Sequence, residues 1–440
     1  MRILHYFLGF PPFRSGGLVT YACSLMESQV EDGNKVYTVW PGKIELFRNS
    51  VRFQQRENIN GIINFEMINP LPVSLDEGIN NFQSFTKSAN PDRFRDFFYK
   101  IKPDVIHIHT LMGLYKEFVE VANDLHIKTV FTTHDYFGLC PKITLYKNGD
   151  VCKNDHNCKD CTWCNRNALS LKKITLLQSS LYRRFKNTNL IKSLRKQHRN
   201  HFFEEEKMEL QPTSNGDDYK RLREFYIYIL ELVDCIHFNS TLSESVYRKY
   251  IRPKQSVVLN ISHKDIIDCR NVSLWKPSNT LRITFLASLK PYKGFYLLQE
   301  VLDELWLEGN HSFICNVYFP IVDTREYIKV HNDFDYSQLK DIMDHTDVLV
   351  APSIWYETFG FTVLEALSFG VPVIVSNRMG SKDIVKDCGI IVDANNKESL
   401  KDAICSLNKN RLIELREKIK NDIDIMSWRQ FVTENYKLYQ

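Results

Sequence analysis

The chain of 440 residues exceeds what one hydrophobic core usually organises, so two domains of roughly 150 to 250 residues are expected. Hydrophobic residues make up 43% of the sequence and aromatic residues 12%, which excludes a disordered chain because this is ample material for two cores. A formal charge of +4 is too small at this length to favour a nucleic-acid partner.

Short apolar runs alternate with helical patterns through the first half of the chain. The predicted strands are 1–8, 35–40, 105–109 and 128–132, with an amphipathic stretch at 18–30. This repetition predicts a parallel sheet with right-handed crossovers. The run 1–8 is expected to be a buried strand and not a signal peptide, because it is short and no small-residue cleavage site follows.

Glycines and histidines stand where these predicted elements meet. Gly16 and Gly17 open the first helix, where they either allow close approach to a ligand or form a simple turn. His107 and His109 lie two apart, hence on one face of a strand. His107 is interpreted as a core histidine, and His109, nearer the strand end, either as a core histidine or as an auxiliary or acceptor-side residue.

Four closely spaced cysteines form a candidate metal site: Cys152, Cys158, Cys161 and Cys164. Four thiolates suffice for a closed tetrahedral zinc site that would staple this insertion. Iron–sulfur ligation, whose spacing fits less well, and a reduced loop are the alternatives. The odd total of eleven cysteines indicates a reducing cytosol, not a disulfide framework.

The segment 166–199 carries ten lysines and arginines and no acid, with apolar residues interleaved. This pattern indicates an amphipathic surface attracted to anionic lipid, or else a solvated helix pair. No apolar stretch reaches the 18 residues that a membrane span requires. We therefore expect a cytoplasmic protein, peripheral at the inner face of the membrane, which would suit a lipid-linked acceptor.

The second half repeats the alternation, with predicted strands at 281–286, 313–319, 347–351 and 371–375. A polar stretch, 269–279, is the expected linker, so the domain boundary is placed near 265–280. The predicted organisation is an N-terminal domain (1–265) with a Cys-rich and basic insertion (about 140–220), a C-terminal domain (280–425) and a closing helix (426–440).

The most informative segment is 351–389, where a loop leads into a predicted helix from Phe361 to Phe369. Backbone N–H groups near Phe359, Gly360 and Phe361 lack partners within that helix, and the helix dipole adds partial positive charge there. Such an end receives phosphate readily. Gly370 is the expected C-terminal cap.

Two glutamates project toward this helix start, Glu357 just before it and Glu365 one turn inside. Two carboxylates beside a diphosphate would repel it, so we interpret them as acceptors for hydroxyl groups, Glu357 for a sugar and Glu365 for a ribose. The alternative is that Glu357 complements the helix dipole and Glu365 lies on a solvated face.

The Glu-x7-Glu spacing, the Phe-Gly-Phe helix start, the Glu-Ala-Leu helix and the following Gly-Val-Pro-Val strand occur in this order. Together they resemble the donor-binding signature of glycosyltransferase family 4, the group 1 glycosyltransferases. The resemblance covers nearly the whole chain, most strongly 281–393 and poorly 166–220. It implies the GT-B fold, two Rossmann-like α/β domains facing each other across a cleft, with retention of anomeric configuration and no catalytic metal.

The same resemblance assigns roles to residues elsewhere in the chain. Lys293 would pair with donor phosphate, although Ala287 and Ser288 stand where Gly-Arg is usual, so one cation is missing. Gly16 and Gly17 match the family's glycine loop near the donor phosphates.

The position of His134 resembles the family's active-site histidine, which would hydrogen-bond the transferred sugar or brace the reacting centre. Asp135 would orient it or cap a helix. Arg223 is a weaker candidate for phosphate or for a salt bridge.

The predicted function is therefore a retaining, metal-independent hexosyltransferase that moves sugar from a nucleotide diphosphate to a glycan or lipid-linked acceptor in cell-surface polysaccharide or glycoconjugate synthesis. No cofactor is expected beyond the structural zinc. The alternatives are a nucleotide-sugar epimerase of the same fold and an inert, zinc-stapled binding module.

Overall fold

A computed structural model of the protein describes residues 1–45, 48–153, 158–185, 188, 215–321 and 325–440. Two large sheets organise these residues, one built from strands up to residue 258 and the other from residue 281 onward. The fold is α/β as predicted, and the predicted boundary near 265–280 falls between the two sheets.

Strands and helices alternate along the described parts of the chain. The strands are β1 (Arg2–Tyr6), β2 (Lys35–Pro41), β3 (Arg52–Gln55), β4 (Ile63–Ile68), β5 (Val105–Ile108), β6 (Lys128–Thr132), β7 (Tyr146–Lys147), β8 (Asp150–Val151), β9 (Cys235–Phe238), β10 (Gln255–Val258), β11 (Leu281–Phe285), β12 (Phe313–Val317), β13 (Ile328–Val330), β14 (Val348–Ala351), β15 (Val373–Ser376) and β16 (Ile390–Val392). The helices are α1 (Gly17–Glu31), α2 (Phe82–Phe85), α3 (Pro91–Ile101), α4 (Lys116–Asp124), α5 (Lys159–Cys164), α6 (Leu171–Leu177), α7 (Ser180–Phe185), α8 (Gly216–Leu232), α9 (Thr241–Tyr247), α10 (Phe295–Leu307), α11 (Leu339–Asp344), α12 (Phe361–Ser368), α13 (Lys382–Val385), α14 (Lys397–Cys405), α15 (Lys409–Asp422) and α16 (Trp428–Tyr436).

The first sheet has the order β10-β9-β6-β5-β1-β2-β4-β3, and all its pairs are parallel except β3 with β4. The second has the order β13-β12-β11-β14-β15-β16 and is parallel throughout. In open parallel sheets the ligand site lies outside the carboxyl ends of the strands. The loops after β1, β6, β11 and β14 are therefore the places to look for chemistry.

The two halves share buried contacts. Phe7 and Tyr21 from the first half pack in one apolar cluster with Phe359, Val363 and Phe431 from the second. The predicted closing helix forms as α16, which packs against α1. This final helix therefore crosses back onto the N-terminal domain.

The predicted basic surface at 166–199 is described only in part, through residues 166–185 and residue 188; residues 186, 187 and 189–199 lie outside the described residues. Among the helices that the structure describes, none has the length and hydropathy needed to cross a bilayer.

Candidate active site

The loop between β14 and α12 is held in one conformation by its neighbours. The N–H of Glu357 donates to Arg378 O at 2.9 Å, and the N–H of Gly380 donates to Glu357 O at 2.9 Å. Gly360 precedes α12 with φ of 97°, and a Cβ there would lie 2.4 Å from Met379 Cε. The positive φ favours glycine at this position, which therefore helps to fix the start of α12.

Beside this helix start, the predicted phosphate cation and the predicted sugar ligand form an ion pair, Lys293 with Glu357. Trp355 Nε1 donates to the same carboxylate at 2.9 Å, and the Lys293 ammonium lies 5.1 Å from the Trp355 ring centre. Both charged side chains are about one-fifth exposed or less, 21% for Lys293 and 15% for Glu357. A ligand entering here meets both of them at once.

Glu365 lies one turn beyond Phe361 on the same face of α12. Its Oε1 is 3.5 Å from Nε2 of His263, whose ring meets the Phe361 ring edge-on at 5.0 Å. Within the described residues, Nδ1 of this buried histidine has no hydrogen-bond partner. His263 lies in the segment between the two sheets and was missed from the sequence, because nothing local marks it.

The glycine loop of the first domain faces α12. Gly16 has φ of 113° and precedes α1, and a Cβ on Gly17 would lie 3.3 Å from two atoms of the Phe361 ring. Phe359, by contrast, is buried in the core. The structure therefore brings Gly17 and Phe361 together, as the prediction of a shared site requires.

His134 follows β6 and lies against the same loop of the second domain. Thr358 Oγ1 donates to the His134 carbonyl at 3.0 Å, and the His134 ring centre is 4.8 Å from that of Tyr21. Burial lowers the pKa of His134 to about 3, so the ring is neutral at pH 7. The predicted active-site histidine thus contacts Thr358, the residue that directly follows Glu357 in the sequence.

The next two residues lie at the same position, Asp135 partly buried and Tyr136 fully buried. Asp135 Oδ1 accepts from the N–H of Phe137 at 2.8 Å, and burial raises the pKa of Asp135 to about 6. The hydroxyl of Tyr136 is buried without a hydrogen-bond partner among the described residues. Burial, and then the charge of Glu357, raise the pKa of Tyr136 well above its ordinary value. Tyr136 was not singled out from the sequence.

Two auxiliary candidates, Arg223 and His109, contact other parts of the protein. Arg223 on α8 donates from Nε to Leu139 O at 2.9 Å, and its guanidinium is 5.3 Å from the Tyr250 ring centre. It therefore contacts the protein backbone and the Tyr250 ring. His109 is 1% exposed and contacts His134 through Nδ1 at 3.4 Å, so it touches another side chain instead of facing an acceptor.

The cysteine group is not assembled as a four-ligand site. Cys140, Cys152, Cys158, Cys161 and Cys164 all belong to the described part of the chain, and no three of their sulfurs lie within 4.8 Å of one another. The predicted zinc site remains a prediction from spacing, without the geometry that would support it.

Residues 322–424 match the family model described as "Glycosyl transferases group 1". A relative from Klebsiella pneumoniae, "Uncharacterized 42.6 kDa protein in cps region", is 22% identical over 381 residues, covering 84% of this chain and 83% of that protein. "Probable sucrose-phosphate synthase 1" from Craterostigma plantagineum is 31% identical over 199 residues, covering 42% of this chain. The chain spans only 18% of that synthase.

Solved structures share the whole architecture. Sucrose-phosphate synthase from Thermosynechococcus elongatus gives a TM-score of 0.57 at 14% identity, covering 100% of this chain and 98% of that one. Anabaena Alr3699/HepE in complex with UDP and glucose gives 0.55 at 12% identity, covering 99% and 98%. WaaG, a glycosyltransferase involved in lipopolysaccharide biosynthesis, gives 0.53 at 13% identity, covering 100% and 99%.

Two Rossmann-like domains with facing helix starts, shared with these structures, define a protein of the GT-B fold. Within this fold, the match to the group 1 glycosyltransferases lies in the C-terminal domain, at residues 322–424.

Proposed function

We propose that the protein is a retaining hexosyltransferase, which moves a hexose-type sugar from a nucleotide diphosphate to a glycan or lipid-linked acceptor in cell-surface polysaccharide or glycoconjugate synthesis. The observation that carries the proposal is the Lys293–Glu357 pair beside the start of α12, with His134 across the Thr358 contact. The similarity to HepE, whose structure is a complex with UDP and glucose, supports the donor class. The similarity to the cps-region protein and to WaaG supports the pathway.

In this proposal, the sugar donor binds between Lys293 and Glu357 and replaces their ion pair. Lys293 and the N–H groups at the start of α12 take the diphosphate, because both carry positive charge. Glu357 then accepts a hydrogen bond from the sugar, and Glu365, beside His263, accepts from the ribose. A carboxylate held 15% exposed is well suited to this exchange, since its charge is only partly solvated before the sugar arrives.

Bond cleavage places negative charge on the departing nucleotide. Lys293 and the α12 dipole lie where that charge develops, so this chain's own residues stabilise the leaving group without a catalytic metal. His134, neutral at pH 7, and Asp135 contact the sugar from the other domain. Retention is checked directly by determining the anomeric configuration of the product.

Nucleotide binding tests this proposal most directly. The nucleoside diphosphate series that matches the site, offered at a hundredfold its Kd, should stabilise the protein by about 2.7 kcal/mol and raise its Tm. Glu365→Ala should abolish most of that rise, because the ribose loses its carboxylate. Uridine, guanosine and adenosine diphosphates and their sugar conjugates form the panel for a thermal-shift assay.

Glu417→Ala is the matched control, since Glu417 is an exposed helical glutamate of the same domain. It should keep the full rise in Tm. If no nucleotide shifts the Tm of the folded protein, or if Glu365→Ala shifts as much as the parent, the donor site is not where we place it.

We also propose that α6 contacts the inner membrane face. Lys172, Lys173, Leu176 and Leu177 are all exposed on this helix, and each lysine stands four residues before a leucine. Side chains four apart on a helix share a face, so the two lysines and the two leucines form one patch. A surface of this kind inserts its apolar side chains while the basic residues meet anionic headgroups.

Vesicle sedimentation measures this contact. The protein should bind vesicles rich in anionic lipid and not purely zwitterionic ones, each basic residue contributing about 1 kcal/mol. Replacing both Leu176 and Leu177 by Ser should weaken binding at least roughly tenfold, given about 1.5 kcal/mol or more for each buried leucine. Leu307→Ser, at an exposed leucine of α10, is the control and should leave binding unchanged.

A further inference from the structure

A chain of hydrogen bonds runs through the buried polar groups of the N-terminal sheet and ends at His134. It contains five histidines joined through three other side chains, and its members in order are His237, Thr132, His107, Tyr439, Gln29, His5, His109 and His134. The C-terminal tail supplies one member, Tyr439. Only three of the histidines were singled out from the sequence.

The chain of hydrogen bonds begins at a backbone carbonyl. Nε2 of His237 is 2.7 Å from Leu259 O, and its Nδ1 is 2.9 Å from Thr132 Oγ1. The same Thr132 oxygen is 2.7 Å from Nε2 of His107. Nδ1 of His107 is 2.8 Å from the hydroxyl of Tyr439.

From Tyr439 the chain continues to the active site. Its hydroxyl accepts from Nε2 of Gln29 at 2.9 Å, and Oε1 of Gln29 is 2.7 Å from Nε2 of His5. Nδ1 of His5 is 2.9 Å from Nε2 of His109. Nδ1 of His109 is 3.4 Å from Nε2 of His134.

Only one arrangement of protons satisfies the first half of this chain with neutral rings. A carbonyl can only accept, so His237 carries its proton on Nε2 and its Nδ1 must accept from Thr132. Thr132 has one proton, now used, and therefore accepts from Nε2–H of His107. Nδ1 of His107 then accepts from the Tyr439 hydroxyl.

The second half follows in the same direction. The Tyr439 hydroxyl already donates its hydrogen bond to His107, so its oxygen accepts from the Gln29 amide. The Gln29 oxygen in turn accepts from Nε2–H of His5. His5 accepts at Nδ1 from His109, and His109 accepts at Nδ1 from His134. The proton of His134 is thereby placed on Nε2, and Nδ1 remains the unprotonated nitrogen.

Burial keeps all five rings neutral, as this arrangement requires. It lowers the pKa of His5 and of His237 to about 4 and of His134 to about 3, and it lowers those of His107 and His109 well below the usual value. Nitrogens of His5, His107 and His109 also lie within 4.8 Å of one another. Every ring nitrogen of these three already has a hydrogen-bond partner, so no metal ion is needed to explain the cluster.

We propose that this chain is a positioning device, which fixes His134 as the Nε2–H tautomer so that its Nδ1 accepts a hydrogen bond from a hydroxyl of the donor sugar, and that Tyr439 completes it. The proposal rests on the proposed role of His134 in donor binding. Tyr439, His107 and His5 are then positioning residues that act through His109.

Loss of the Tyr439 hydroxyl removes the constraint on the proton positions of Gln29, His5, His109 and His134. Without its hydroxyl, the Gln29 amide can rotate and present its nitrogen to His5. His5 and His109 can then each donate through Nδ1, and His134 takes its proton on Nδ1 instead. Both arrangements of protons along the hydrogen bonds become available, so the Tyr439→Phe variant should hold His134 as a mixture of the Nδ1–H and Nε2–H tautomers.

Nitrogen-15 NMR of the full-length protein labelled at histidine measures the tautomer of His134 directly, because protonated and unprotonated ring nitrogens differ in chemical shift. The parent should show His134 protonated at Nε2 only, with the signal assigned by its absence in His134→Gln. Tyr439→Phe should reduce the Nε2–H share of His134 to roughly half and raise the KM for the donor about twofold with an unchanged kcat, since the apparent affinity falls in proportion to the competent population.

Tyr436→Phe is the matched control. Tyr436 belongs to α16 and makes two hydrogen bonds, to Asp32 at 2.9 Å and from Asn34 at 2.8 Å, neither of which belongs to the chain. It should leave the His134 signal unchanged. Protonation of His134 at Nδ1, or at both nitrogens, in the parent would overturn the proposal, as would an unchanged His134 signal in folded Tyr439→Phe. The signal is measured without donor, so it stands even if no nucleotide sugar binds.

Discussion

Lys293→Ala is expected to lower kcat/KM for the sugar donor about 10²- to 10³-fold, which corresponds to about 2.7–4 kcal/mol of lost transition-state stabilisation. Lys293 is the side-chain cation brought to the start of α12, and Ala287 and Ser288 contribute no charge nearby. The helix amides would then face the departing diphosphate without this charge. Turnover of the nucleotide sugar identified by the rise in Tm is the measurement.

Two comparisons separate phosphate binding from a structural role. Lys340→Ala removes another lysine–carboxylate pair of the same domain, with Asp344 at 2.6 Å, and should leave turnover unchanged. The free nucleoside diphosphate should bind Lys293→Ala more weakly but bind Glu357→Gln as well as the parent, because Glu357 is assigned to the sugar. Unchanged affinity of Lys293→Ala for the diphosphate would show that Lys293 serves only to hold Glu357.

Local signals predicted the donor side of the site closely. The helix expected at 361–369 forms at Phe361–Ser368, and Gly370 follows it with φ of 72°, because apolar spacing and a glycine cap act within one or two turns. The turn carrying Lys293 likewise ends at Gly294, with φ of 84°. In each case the residues that decide the structure are neighbours in the chain.

The histidine hydrogen bonds could not be predicted from local sequence signals, because they join residues that are far apart in the sequence. His5 lies opposite His107 only because β1 and β5 pair in that register, and Tyr439 meets His107 across 332 residues of sequence. His5 alone reads as one polar residue in an apolar strand. Residue type was a weaker guide than local spacing: Arg223, a candidate for phosphate, donates to a backbone carbonyl, and no three of the cysteine sulfurs in the described residues lie within 4.8 Å of one another, so the zinc site stays a prediction.

The five histidines of the hydrogen-bond chain, four of them buried and His134 partly buried, should also make the protein acid-labile. Below pH 6.5, the free energy of unfolding is expected to fall by about 3 to 5 kcal/mol per pH unit, since each shifted group contributes about 1.36 kcal/mol per unit. A loss of this size reaches the whole stability of a typical domain near pH 5. Urea midpoints measured from pH 7.5 down to pH 5 would show it.

The sign follows from where the protons go. Each histidine has a folded pKa below its unfolded value of about 6.5, so the unfolded chain binds more protons and stability drops as the pH falls through this window. Asp135 opposes this, because its pKa of about 6 in the folded protein lies above the unfolded value, and protonation there favours the folded state. The lower end of the range counts His5, His134 and His237 against Asp135; the upper end adds His107 and His109.

His237→Gln isolates one group. Its amide can donate to Leu259 and accept from Thr132 as the imidazole does, yet it stays neutral at every pH, so the slope should lessen by about 1.4 kcal/mol per pH unit. His345→Gln, at a histidine whose side chain is 70% exposed, should not alter the slope. A urea midpoint that stays constant from pH 7 to pH 5 would mean that the unfolded and folded chains bind equal numbers of protons, and that the histidine chain is not sealed from water.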